Sequence, residues 1–227
     1  MLECKVYPSL PCNGDFQARE LCYFIFPEGL REDLASWLDG AARRYGMYMV
    51  AVGGVDWNND LTPWEAAGVF KRGKPFGGRA PEFVRRLQDE VLVPVETGLW
   101  GAVAEPPQRH LAGVSLSGLF ALWASMTTSL FGGCICISGS LWYDGFARWI
   151  ASNHAPEVLK EVCMVLGEKE KNSRDARMST VEDATAAIAE ELISDGVHVR
   201  FLLVEGTHFS PVVPRLELAF GNRLNHE

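Results

Sequence analysis

The chain has 227 residues, enough for one full-sized domain and too few for a second large one. Hydrophobic residues make up 48% and charged residues 22%, a balance that sets aside intrinsic disorder. The 21 Lys and Arg stand against 29 Asp and Glu, and the resulting formal charge of −8 argues against a dedicated nucleic-acid binder, which needs a basic surface.

In chain order, Glu3–Tyr7 and Leu21–Phe26 read as strands, the second ended by Pro27-Glu28-Gly29. Leu30–Arg44 follows helical spacing, with Leu34, Trp37, Leu38 and Ala41 on one face and Gly46 closing it. Met47–Val52 is a third strand, followed by the turn-rich GGVDWNNDLTPW. Glu65–Arg79 reads as irregular, and Pro81–Val93 as an amphipathic helix. Then come strand Leu111–Val114, helix Ser117–Leu130, strand Cys134–Ser138 and helix Phe146–Asn153. Strand Val162–Leu166, helix Val181–Ser194, strand Val199–Val204 and helix Val212–Phe220 complete the series. Strands alternating with helices predict an α/β fold with a largely parallel sheet, helices on both faces in a three-layer αβα sandwich, and residues 1–227 forming a single domain.

From Leu111 to Tyr143 no side chain is charged, a run of 33 positions that a hydropathy window would take for a membrane span. It contains five glycines, six serines and two threonines, which suit a lipid-exposed helix poorly. A central strand, a tight turn, a buried helix and another central strand account for it better, since strands covered on both faces read as continuous apolar runs. The N-terminus has no apolar stretch long enough for a secretory signal, so a cytoplasmic protein is expected. The six cysteines form no CxxC and no paired ligand spacing, and no HExxH or calcium loop occurs, so neither a metal nor another cofactor is expected.

In parallel sheets ligands gather at the carboxyl ends of the strands. Gly113-Val114-Ser115-Leu116-Ser117-Gly118 lies there, between a strand and a helix, and approximates the nucleophile elbow G-x-S-x-G. The turn brings backbone into close approach, so small residues are needed two positions either side of Ser115; Ser117 stands at the second, and is small enough for the turn to survive. The N–H of Leu116, at the helix start, is a candidate oxyanion donor. The second donor is expected in the loop after the second strand, where Pro27 has no N–H and Glu28 or Gly29 must serve, Glu28 being favoured.

A serine nucleophile needs a base. His110 precedes Ser115 by five residues, roughly 16 Å along an extended strand, towards the opposite edge of the sheet. His198 begins a strand and fails likewise, His154 follows a helix, and His226 lies at the chain end. His208, directly after the seventh strand, is at the carboxyl edge. For the orienting acid, Glu168 and Glu170 both follow the sixth strand; Glu170 is favoured because it can reach back towards the histidine, with Glu168 the alternative and Asp175 a weaker third. The order Ser115, acid, His208 is that of the α/β-hydrolase fold.

With GVSLSGLFALWA (113–124), SGSLWYDGF (138–146), DWNNDLTPW (56–64), LGEKE and EGTHF, the chain resembles the esterases related to enterochelin esterase and esterase D. The resemblance is scattered over about four fifths of the chain. It implies an α/β-hydrolase core cleaving a small-molecule carboxylic ester, with Ser115 as nucleophile, His208 as base and Glu170 as acid. Ser117 departs from the Gly or Ala of most members of the wider fold. Enterochelin esterase carries an additional N-terminal domain; only about twenty residues precede the first hydrolase strand expected here, so its substrate does not carry over.

Trp57, Asn58 and Asp60 follow the third strand and Trp142 and Tyr143 the fifth, so these five are candidates for the substrate pocket. Lys169, Lys171, Arg174 and Arg177 form a basic loop that could attract an anionic group, although a solvated face is the plainer reading. Gly68–Lys74 matches G-x-x-x-x-G-K, but Pro75 replaces the required Ser or Thr and no strand–helix context surrounds it, so nucleotide binding is discarded. Two alternatives keep the fold: an acyltransferase using the same triad, and a non-catalytic binding module. Neither the ester's two halves nor the oligomeric state is legible.

Overall fold

A computed structural model describes residues 1–8, 19–26, 29–69, 73–101 and 106–221. Seven strands form the main sheet: β1 (Glu3–Tyr7), β2 (Glu20–Ile25), β3 (Tyr48–Gly53), β4 (Gln108–Val114), β5 (Gly133–Ile137), β6 (Glu161–Gly167) and β7 (His198–Val204). Their order is β1-β3-β2-β4-β5-β6-β7. Only the β1–β3 pairing is antiparallel, with Glu3 opposite Gly53; the other five are parallel. The swap of β2 and β3 leaves β4 central, so the loop after β4 opens between the ends of β2 and β5.

The strands are apolar on both faces because both faces are covered. Along β2, Leu21, Tyr23 and Ile25 enter one core, and Cys22 and Phe24 the other. The second core is roofed by α1 (Glu32–Tyr45) and α7 (Val212–Gly221), where Trp37, Leu38 and Ala41 meet Leu216, Ala219 and Phe220. The Trp37 indole N–H also donates to Glu217 Oε1 at 2.6 Å, joining the two helices. The first core lies under α2 (Ala80–Leu87), α4 (Leu116–Thr127), α5 (Phe146–Ala151) and α6 (Val181–Ser194). Every residue of α4 from Leu116 to Met126 is buried, which explains why the run from Leu111 to Tyr143 carries no charge. No helix among the described residues is long and apolar enough to cross a membrane.

Three differences from expectation have local reasons. The helix expected to end at Val93 passes through a π turn (Gln88–Leu92) into α3 (Val93–Trp100). Pro94, which has no N–H to donate, falls in the first turn of α3, directly after the π turn. Helix α4 stops at Thr127, three residues early, where the Thr127 and Thr128 hydroxyls donate to the carbonyls of Trp123 and Ala124. The segment 65–79, expected to be irregular, contains a small antiparallel ribbon pairing Glu65–Ala66 with Phe76–Gly77. Gly46 ends α1 in the left-handed region, with φ 66°, as its position suggested.

Candidate active site

The turn from β4 into α4 holds Ser115 at φ 59° and ψ −122°, a backbone conformation that costs energy for a non-glycine residue and persists only when its surroundings enforce it. Those surroundings are visible. Ser115 N–H donates to Ile137 O at 3.0 Å, and Ser115 O accepts from Leu119 and Ser140 N–H at 3.1 and 3.0 Å. A Cβ on Gly113 would overlap the Ser117 carbonyl, and one on Gly118 would approach the Gly139 Cα at 3.1 Å. Ser117 fits the second small-residue position: its Oγ donates to Val114 O and accepts from Val114 N–H, both at 2.8 Å.

His208 lies just past β7. Its Nε2 is 3.0 Å from Ser115 Oγ, and its Nδ1 is 2.8 Å from Glu170 Oε2. Glu170 opens a short 3₁₀ turn after β6 and is buried. Burial alone would push its carboxyl pKa up. The hydrogen bond from His208, the Gly167 N–H (2.8 Å to Oε1), the charge of His208 and a hydrogen bond from Ser138 together hold it below the ordinary value. The arrangement can withdraw a proton from Ser115 Oγ while a carboxylate stabilises the imidazolium that forms.

The other candidates fall elsewhere. Glu168 is half-exposed and faces Lys169 at 3.9 Å. Asp175 accepts the N–H groups of Arg177 and Met178 and caps its own turn. His110 is buried at the other edge of the sheet beside Glu20 and Glu161, at 2.6 and 3.4 Å. His198 starts β7, and His154 pairs with Asp195 on the surface at 2.8 Å. Glu28 and His226 lie outside the described residues. Leu116 is the first residue of α4, so its N–H has no acceptor within the helix.

Two cavities meet at His208. One, of about 300 Å³, is lined by Ser115, Leu116, Trp57, Asn58, Phe76 and Trp142. The other, of about 430 Å³, is lined by Lys169, Asn172, Met178, Val181 and Phe209, again with Trp142. Asp60 and Tyr143, expected among the pocket residues, line neither. The Asp60 carboxylate is turned inward onto the Asp56 N–H at 3.0 Å, and the buried Tyr143 hydroxyl donates to Trp64 O at 2.6 Å. Much of the basic loop is engaged in ion pairs. Lys171 binds Glu182 at 3.0 Å, and Arg177 binds Asp144 at 2.9 Å as well as the carbonyls of Ala67 and Gly68. Arg177 also lies over the Trp142 ring, at 5.8 Å from its centroid. Of Gly68–Lys74, residues 70–72 lie outside the described set, and the segment joins the two ribbon strands. Among the described residues no group of three His, Cys, Asp or Glu is placed to hold a metal ion.

Beside Glu170, sequence reasoning missed a buried charge. Arg215 projects from α7 behind Glu170, its Nη1 3.0 Å from Glu170 Oε1. The available signal was a lone arginine among Val212, Leu216, Ala219 and Phe220 on the apolar side of an expected helix.

Compared with known proteins, the chain is 27% identical over 139 residues to "Uncharacterized protein YbbA" of Bacillus subtilis, a match covering 61% of this chain and 55% of that protein. The match thus spans little more than half the length of that relative. Among solved structures, the siderophore hydrolase EstA of Aspergillus nidulans superposes with a TM-score of 0.69 at 19% identity, over 99% of this chain and 94% of that one. An IroE-like serine hydrolase from Shewanella oneidensis gives 0.76 at 18% identity, over 97% and 75%. Enterochelin esterase from Shigella flexneri gives 0.70 at 18%, over 98% and 54%. At these identities the likeness establishes the fold, that of the α/β-hydrolases. The family model described as "Putative esterase" matches residues 31–209, from the start of α1 through His208, and the chain belongs to that family.

Proposed function

We propose that this chain is a serine esterase, folded as one domain, which cleaves a small-molecule carboxylic ester through an acyl-serine intermediate. The observation that supports it is the unbroken line Ser115 Oγ – His208 Nε2, His208 Nδ1 – Glu170 Oε2, at 3.0 and 2.8 Å. In the first half-reaction Ser115 Oγ attacks the ester carbonyl as His208 takes its proton. The tetrahedral oxyanion is held by the Leu116 N–H and by a second donor from the loop after β2, where Glu28 is the candidate. Such a donor typically contributes about 3–4 kcal/mol to the transition state. His208 then passes its proton to the departing alcohol. In the second half-reaction His208 deprotonates a water, which attacks the acyl-serine and releases the acid.

The nucleophile faces the cavity lined by Trp57, Phe76 and Trp142, and the proton donor faces both cavities. The acyl group therefore fits the first and the alcohol the second, an arrangement suited to esters with apolar bulk on both sides of the scissile bond. Ser115→Ala should remove hydrolysis of a short aryl ester while leaving the melting temperature near that of the parent. Unchanged turnover would refute the reading. A product assay with water and an added alcohol separates hydrolysis from acyl transfer, and a panel running from aryl acetates to a siderophore trilactone sets the substrate range.

A further inference from the structure

We infer that Arg215 is a positioning residue of the catalytic apparatus, a buried guanidinium that fixes the acid and the histidine loop in one frame. This rests on the esterase reading above. Three of its contacts reach three different loops at the carboxyl edge of the sheet. Nη1 donates to Glu170 Oε1 in the loop after β6, at 3.0 Å, and to Ser138 Oγ in the loop after β5. Nη2 donates to the carbonyl of Thr207, the residue before His208, at 2.6 Å. The same carboxylate offers its other oxygen to His208. One planar fork thereby sets the spacing between Glu170 and the backbone that carries its partner. Lysine, a point charge on a flexible stem, cannot reproduce that geometry.

The pocket is built around this side chain. Arg215 is 3% exposed, and Glu170 is likewise buried, so removing either partner leaves an uncompensated buried charge. A Cβ on Gly167 would lie 2.8 Å from Arg215 Nη2, and one on Gly206 would lie 3.2 Å from it. Gly206 also has φ 129°, a conformation that side chains rarely adopt. The two glycines flank the acid and the histidine in sequence and leave the space the guanidinium fills. Ser138, its third partner, itself holds a positive φ of 47°. A surface ion pair would need none of this.

The test compares Arg215→Met and Arg215→Lys with the parent and with Ser115→Ala, each verified by circular dichroism and thermal melting. kcat and KM for a short aryl ester are measured at pH 7. Arg215→Met should lose about tenfold or more in kcat with KM unchanged. Arg215→Lys should also lose kcat, because the charge remains but the fork is gone. A folded Arg215→Met with parental kcat overturns the inference. If the Met variant does not fold, parental kcat in Arg215→Lys overturns it instead. Active Ser115→Ala would refute the esterase reading itself; inactive Ser115→Ala beside fully active Arg215 variants would refute only the role of Arg215.

Discussion

Gly113 and Ser117 are in van der Waals contact across the elbow, with no space between them for a single methyl group. The strand therefore enters the turn close against the first turn of α4, and the strained conformation of Ser115 is held from both sides. Gly113→Ala must displace backbone rather than a flexible side chain. It should cost about 2 kcal/mol or more in stability and most of the activity, read by urea denaturation and ester turnover.

Ser117 occupies the second small-residue position without loosening the turn, because its hydroxyl bonds both polar groups of Val114. Ser117→Ala should cost about 1–2 kcal/mol and leave kcat within a small factor of the parent. A large loss of kcat at unchanged stability would mean that the hydroxyl has a chemical role.

Glu170 and Glu168 separate cleanly. Glu170→Gln keeps the shape but removes the charge facing His208, and should lower kcat by about two to four orders of magnitude. Glu168→Gln alters an exposed carboxylate and should leave kcat near the parent.

The carboxyl of Glu170 is held below its ordinary value in the folded chain. A depressed folded pKa contributes stability at pH values above the unfolded pKa, and that contribution disappears as pH falls through the folded value. Urea melts between pH 7 and 3 should therefore show a loss of stability, starting in the ordinary carboxylate range and continuing below it. The slope should be shallower in Glu170→Gln. Equal slopes in the two proteins would contradict the assignment.

Arg177 joins the wall of the cavity at Ser115 to the loop carrying Met178, through Asp144, the carbonyls of Ala67 and Gly68, and the face of Trp142. Arg177→Met should raise KM for bulky aryl esters by about tenfold, the equivalent of one or two lost hydrogen bonds, with little change in kcat for an acetyl ester. Equal effects on both substrates would show that the contact is only structural.

The strand–helix order and the edge of the sheet carrying the candidate site were legible because each rests on short-range pattern. Apolar runs mark the strands, glycines mark their ends, and a residue directly after a parallel strand must lie at the carboxyl edge. That logic separated His208 from His110 before any distance was known. It could not decide whether Asp60 faces the pocket or the nearby backbone, because the direction of a residue in a single helical turn (Trp57–Asp60) depends on a partner as close as the Asp56 N–H. Nor could it foresee Arg215, whose partners come from three loops far apart in the chain. The ribbon at 65–77 escaped because two-residue strands have no period to read.

The central claim is that Ser115, activated by His208, is the nucleophile. Its most direct test is reaction with a fluorophosphonate, followed by intact mass and peptide mapping. One adduct per chain, on Ser115, lost in Ser115→Ala and strongly slowed in His208→Ala, is the predicted result. An adduct on another residue, or labelling unaffected by His208→Ala, would contradict the account.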